Sequence, residues 1–311
     1  MHFIKQRIAF TMIEVVFVIV VLGVISSIGS TIIAQLYENY IVQRAMHRVS
    51  IKTELAVNQI VNRLAYRINS TVIARDPASA SYLKLVDVPL GTTNTNNNIL
   101  EWIGYDNDSF SAQVKPGWSG YCDTATTKTL NINTPGSRLN RTKKIIKNLA
   151  GGTTIPQLAL LFGLDGAFDG AGLAQEADCY GYNGTNSCIH QVTISDNTNL
   201  TTDKGSATNA NIATHYKLAW TAYAIVPVAP SDGTTLSNTN FDLELRYNYQ
   251  PWAGTQYNGN SVKKSILLRK VTAFKFAELG GTLRIKLCAT EQIGDSTTTN
   301  ISVCKEKVVI R

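Results

Sequence analysis

The chain is expected to be α+β, a long N-terminal α-helix packed on an antiparallel β-sheet globular domain. Three observations lead to this. From Phe10 to Ala34 the residues are apolar apart from Glu14 and a few small polar side chains. No Gly or Pro interrupts residues 30–76. From Ser81 onward the pattern changes to short apolar or alternating runs separated by turn residues. A helical period first and a strand period afterwards separates helix from sheet along the chain.

The helix divides into two stretches. Residues 10–34 form an apolar segment of roughly 25 residues, about 37 Å as a helix, which is long enough to cross a bilayer. Lys5 and Arg7 precede it, so the positive-inside rule expects residues 1–9 in the cytoplasm and the remainder outside. Residues 35–75 continue as an amphipathic helix. Val57, Ile60, Val61, Leu64, Ala65 and Ile68 recur at three and four, with Asn58, Asn62, Arg63 and Arg67 between them, and this stripe is expected to lie on a sheet. One helix is therefore expected from about Phe10 to about Ile68. Asp76-Pro77 marks a boundary soon after it.

Residues 76–311 read as an extracytoplasmic β-rich domain. Strands are expected over 82–86, 99–105, 216–226, 241–247, 265–268, 271–276, 283–288 and 305–310. Residues 91–98 and 231–235 read as loops. Charged residues make up only 16% of the chain and the net charge of +7 is mild. Apart from a basic run over 138–144, nothing in the charge pattern points to nucleic acid.

Glu14 is the residue that an ordinary membrane anchor does not explain. A carboxylate in an apolar segment is costly and needs a partner. The stretch Phe10-Thr11-Met12-Ile13-Glu14, after a short basic leader and before an unbroken apolar helix, resembles the cleavage and methylation motif of type IV pilins and type II secretion pseudopilins. The resemblance covers about the first 30 residues and implies a pilin-like fold. It also implies that residues 1–9 are a leader cut between Ala9 and Phe10 by a prepilin peptidase, and that the new Phe10 amine is methylated. Glu14 would pair with the N-terminal amine of a neighbouring subunit. Two positions depart from the family pattern: Ala9 stands where Gly usually precedes the cut, and Thr31 stands where many major pilins have proline. The end of the chain, with Phe274-Lys-Phe276, Gly280-Gly281 and a closing Val-Val-Ile strand, resembles the tail of J-class minor pseudopilins and W-type minor pilins.

The resemblance implies a noncatalytic subunit of a pilus or pseudopilus. Its partners would be the prepilin peptidase, other pilin or pseudopilin subunits met through the N-terminal helix, an inner-membrane assembly platform and the membrane itself. Two further readings stay open: a pilus-tip adhesin or DNA-uptake minor pilin, and a membrane-tethered extracellular enzyme.

The remaining motifs are weaker. The cysteines at 122, 179, 188, 288 and 304 all follow the apolar segment, and none forms C-x-x-C. Cys179 with Cys188, and Cys288 with Cys304, enclose turn-rich loops that disulfides would close in an oxidising compartment. Cys122 is left over. The acidic, Gly-rich stretch from Asp165 to Asp178 lacks EF-hand spacing and reads as a solvated loop rather than a calcium site. No P-loop, dinucleotide fingerprint or catalytic triad can be assembled, and Gly117-Trp118-Ser119-Gly120 is one residue short of a nucleophile elbow. No cofactor or metal is expected.

Overall fold

The computed structural model describes residues 11–79, 81–88, 97–110, 115–128, 130–152, 154–163, 179–204, 212–293 and 300–310. They fall into two compact units. One comprises residues 1–49 with 291–302, and the other residues 50–290 with 303–311.

In the first unit, the opening part of α1 (Met12–Leu64) presents its apolar side chains outward. Arg48 there pairs with Glu291 at 3.5 Å. In the second unit the same helix is amphipathic: Thr53, Ala56, Val57, Ile60 and Leu64 are buried, while Leu55, Gln59 and Asn62 face out. Glu54 on the half-buried flank receives Lys307 at 2.7 Å and Lys305 at 3.9 Å.

Helix α1 ends at Leu64 rather than near Ile68, and the stripe changes with it: Val61 is half-buried and Ala65 is exposed. The cause is tertiary. The chain after Leu64 is recruited by β3 (Ile99–Tyr105), where Tyr105 N donates to Tyr66 O and Ile68 N to Ile103 O, both at 2.9 Å. The Arg67 guanidinium donates to Leu64 O at 2.9 Å and satisfies a carbonyl of the last turn. Gly104 on β3 leaves room for the Tyr223 ring, which a Cβ there would meet at 2.8 Å.

Among the described residues twelve strands form one antiparallel sheet. Besides β3 they are β1 (Ile73–Arg75), β2 (Tyr82–Lys84), β4 (Asn131–Asn133), β5 (Leu158–Phe162), β6 (His190–Ile194), β7 (Asn199–Thr202), β8 (Tyr216–Val228), β9 (Phe241–Tyr249), β10 (Lys263–Leu279), β11 (Thr282–Gln292) and β12 (Asn300–Val309). The order is β12-β11-β10-β9-β8-β5-β6-β7-β4, and β3, β1 and β2 extend from β8. The expected runs 265–268 and 271–276 are one strand, β10, with register shifts between Ile266 and Val271. At that irregularity Lys270 has φ 54°, and its amide donates to Asp242 Oδ1 at 3.1 Å. The run 82–86 is strand only to Lys84 and then turns as a short 3-10 helix, Leu85–Asp87.

Strand β8 organises the domain. Ala222 pairs with Ile103 and Tyr249, and Ala219 pairs with Tyr105 and Ala159. A strand residue has one neighbour on each side, so β3 runs along one edge of β8 while β9 and then β5 share the other. Side chains close the gap between β9 and β5. Gln250 Nε2 donates to Trp220 O at 2.9 Å, Asn248 N donates to Thr221 Oγ1 at 2.8 Å, and Trp252 Nε1 donates to Gln157 O at 3.0 Å. One core cluster lies around Ile103, Tyr180, Tyr249 and Trp252, and another around Trp118, Ile132, Leu160 and Leu218.

Candidate membrane-spanning and assembly helix

The N-terminal part of α1 is built to sit in an apolar medium. Glu14 N and Val15 N both donate to Thr11 O, at 3.1 and 3.3 Å, so the helix starts on Thr11. Glu14 then lies in the first turn, where the helix dipole favours a carboxylate. It has no ion-pair partner among the described residues. From Met12 to Ile33 every large apolar side chain is exposed, with Ile13 79%, Phe17 70% and Ile33 68% accessible. A contiguous surface of this kind is rare on a soluble monomer and marks a membrane or partner surface.

One hydroxyl in this stretch is satisfied within its own helix. Thr31 Oγ1 donates to Ile28 O at 2.8 Å, so the hydroxyl needs no water. An added Cβ at Gly23 or Gly29 would meet nothing within 4 Å. Among the described residues no contact requires either glycine. Met12–Leu64 is a helix long and apolar enough to cross a membrane, and its most apolar window has a mean hydropathy of 2.6.

Ala9 and Phe10, the residues of the expected cut, lie outside the described residues, as does the Asp165–Asp178 loop. The cysteines are paired as Cys179–Cys188 and Cys288–Cys304, with Cα atoms 5.2 and 4.0 Å apart. Cys122 is free and buried, and burial pushes its thiol up.

No protein-family model, curated protein or solved structure matches this chain.

The globular domain also holds buried polar groups that periodicity does not mark. Arg75 Nε donates to Glu101 Oε2 at 2.7 Å, and Tyr249 OH donates to Glu101 Oε1 at 3.0 Å. The rings of Tyr82, Tyr182 and Tyr257 surround the Arg75 guanidinium at 5.1 to 5.7 Å. Burial pushes the Glu101 carboxyl up, opposed by the Arg75 charge. Elsewhere Lys204 Nζ donates to the carbonyls of Asn186, Ser187 and Ile189 and ties down the closing end of the Cys179–Cys188 loop. Buried His190 stands near that ammonium, and desolvation followed by the Lys204 charge lowers it to about 4. Asp106 caps α2 (Asn107–Phe110) through Ser109, and burial raises it to about 7. Each is a single polar residue in or beside an apolar or turn-rich run, as Glu101 is within Ile99–Tyr105, so no local signal singles it out.

The weaker motifs find structural roles. Ser119 Oγ donates to Tyr121 O at 3.3 Å, and Tyr121 N donates back to it within a turn. The basic run 138–144 opens α3 (Leu139–Leu149), an amphipathic helix that buries Leu139, Thr142 and Ile146. The expected strand 241–247 runs on to Tyr249 in β9, and the turn after it buries Trp252.

Proposed function

We propose that this chain is a membrane-anchored, noncatalytic subunit of a type IV pilus-like or pseudopilus filament. The observation that carries the reading is the isolated Glu14 carboxylate in the first turn of an exposed apolar helix, four residues after Phe10. On this reading a prepilin peptidase hydrolyses the Ala9–Phe10 bond at the cytoplasmic face, and the new Phe10 amine is methylated. The Glu14 carboxylate then pairs with the amine of a neighbouring subunit. Leaving either charge alone in a packed bundle of helices costs roughly 3–5 kcal/mol, so the pair selects one axial register. The apolar surface moves from lipid to other subunits without meeting water. Open space at Gly23 suits close approach of a second helix.

Two features support placing the globular domain outside the cytoplasm: its two disulfides, and Lys5 and Arg7 before the apolar segment. The test is the intact mass and N-terminal sequence of the protein made with and without a prepilin peptidase. A peptidase-dependent N-terminus at Phe10 carrying one added methyl is expected. An N-terminus near Ser30, or Met1 retained in both cultures, would overturn the reading.

A further inference from the structure

The exposed apolar stretch of α1 has a different polar marker at each end. Glu14 stands in the first turn. No Asp, Glu, Lys, Arg or His follows it until Glu38, after which Asn39, Gln43, Arg44, His47 and Arg48 crowd in. Tyr37 and Tyr40 sit at this change of character and are 65% and 58% exposed. Three residues apart, they share one side of the helix. Ala45 and Val49, which are buried in the same unit, lie about 80–180° around the axis from them, so the covered side of the helix is a different one.

The spacing of these groups matches a bilayer. At about 1.5 Å per residue, Tyr37 stands about 34 Å along the axis from Glu14, and Tyr40 about 39 Å. A tilt of about 20° leaves about 32 and 37 Å across the membrane. The hydrocarbon layer is about 30 Å thick, and the bilayer with its headgroups about 40–45 Å. The carboxylate and the tyrosine pair therefore reach opposite headgroup layers at the same time. Moving Glu14 to the middle of the bilayer would strand a carboxylate in hydrocarbon and push Ile28, Ile32, Ile33 and Leu36 beyond the opposite boundary. A tyrosine ring with its hydroxyl suits such a boundary, where one end is apolar and the other wet.

We infer that Tyr37 and Tyr40 bind the lipid headgroup layer where α1 leaves the membrane, and that they set the depth of the helix so that Glu14 stays in the opposite headgroup layer. This rests on the membrane-anchored reading above and adds the lipid contact that fixes its register. Drawing either ring into hydrocarbon strips its hydroxyl of hydrogen bonds, and drawing it into water exposes the ring. The helix is thus held from both sides. At this depth Glu14 meets water and headgroups while it has no partner. It enters apolar surroundings only when a neighbouring subunit supplies the opposite charge.

The test uses the full chain in vesicles of phosphatidylcholine and phosphatidylglycerol, with a nitroxide on one added cysteine. Ile25→Cys, Leu36→Cys or Arg44→Cys carries the label in turn, and Cys122→Ser removes the free thiol. Depth is read from the ratio of relaxation by oxygen to relaxation by a water-soluble nickel chelate. The Ile25 label is expected near the middle of the bilayer, the Leu36 label just below the headgroups and the Arg44 label in water. Tyr37→Ala with Tyr40→Ala should move the Leu36 label deeper by about 3 Å, two residues of rise, as Glu14 draws the helix toward its own side. Tyr37→Trp with Tyr40→Trp should leave the label in place. An unmoved or shallower Leu36 label in the alanine variant would overturn the tyrosine anchor while leaving the spanning helix intact. So would an equal displacement in the tryptophan variant. An Ile25 label that meets nickel as freely as the Arg44 label would overturn the inference together with the spanning helix on which it rests.

Discussion

The Arg75 guanidinium lies 2.7 Å from the Glu101 carboxylate, and both side chains are almost closed off from water. Tyr249 holds the second carboxylate oxygen, while Arg75 also donates to Tyr182 O at 3.3 Å. Removing one member leaves a buried charge without its partner. Arg75→Met is expected to cost about 3–5 kcal/mol in urea unfolding. The double variant Arg75→Met with Glu101→Gln should recover much of that loss, since neither charge then remains.

Asp106 and His190 give opposite pH dependences over one window. Asp106 is raised to about 7, so its contribution is full below the ordinary carboxylate value and is lost as pH rises through 7. His190 is lowered to about 4, so the stability it contributes is present above the ordinary imidazole value and is lost as pH falls through 4. Between about pH 4 and 6.5 the two slopes oppose each other. Asp106→Asn is expected to leave stability rising with pH across this range, and His190→Gln to leave it falling. Each change should be on the order of 1–3 kcal/mol by chemical denaturation at stepped pH. Parallel curves for both variants and the parent would show that neither group carries the shift.

The cysteines have a mass signature. Alkylation of the unreduced, denatured protein should label Cys122 alone, and reduction should open four further sites. Opening Cys288–Cys304 is expected to lower stability by roughly 3 kcal/mol, because the unfolded chain regains the freedom of that loop. Labelling of all five cysteines without reduction would contradict both bridges.

Glu14 separates anchoring from assembly. Glu14→Val adds apolar surface to the exposed helix, so membrane retention should be kept. Incorporation into filaments should drop by tenfold or more, on the order of the 3–5 kcal/mol that an uncompensated buried charge costs. Fractionation together with quantitation of sheared filaments would read both properties. Unchanged incorporation would remove Glu14 from the assembly role.

Residues 12–64 are legible as a helix from their order alone, because their apolar positions suit the helical period and no Pro breaks the run. Strands β3, β8, β9 and β11 are legible for the parallel reason: each is a long apolar or alternating run bounded by turn residues. The cysteine pairs are legible as neighbours across short loops.

Two of the short strands are not legible in this way. Asn131–Asn133 and Asn199–Thr202 are polar, and become strands because they pair with each other rather than through any propensity of their own. The run opening α3 reads only as basic charge, and its helix depends on Leu139, Thr142 and Ile146 finding a core to enter. Helix α1 stops where β3 claims its backbone, a contact between residues far apart in sequence.

What the residues determined by themselves is local: an apolar helix with one carboxylate in its first turn, runs of strand, and cysteines close enough to bridge. Local order sets such features because a helix closes its hydrogen bonds within its own run, alternation marks a strand's buried face, and a short loop keeps two cysteines near each other. Tertiary structure alone decided that β9 and β5 share one edge of β8 and that Arg75 meets Glu101 under three tyrosines. Each of these rests on groups brought together from distant positions, where burial and backbone pairing outweigh local preference.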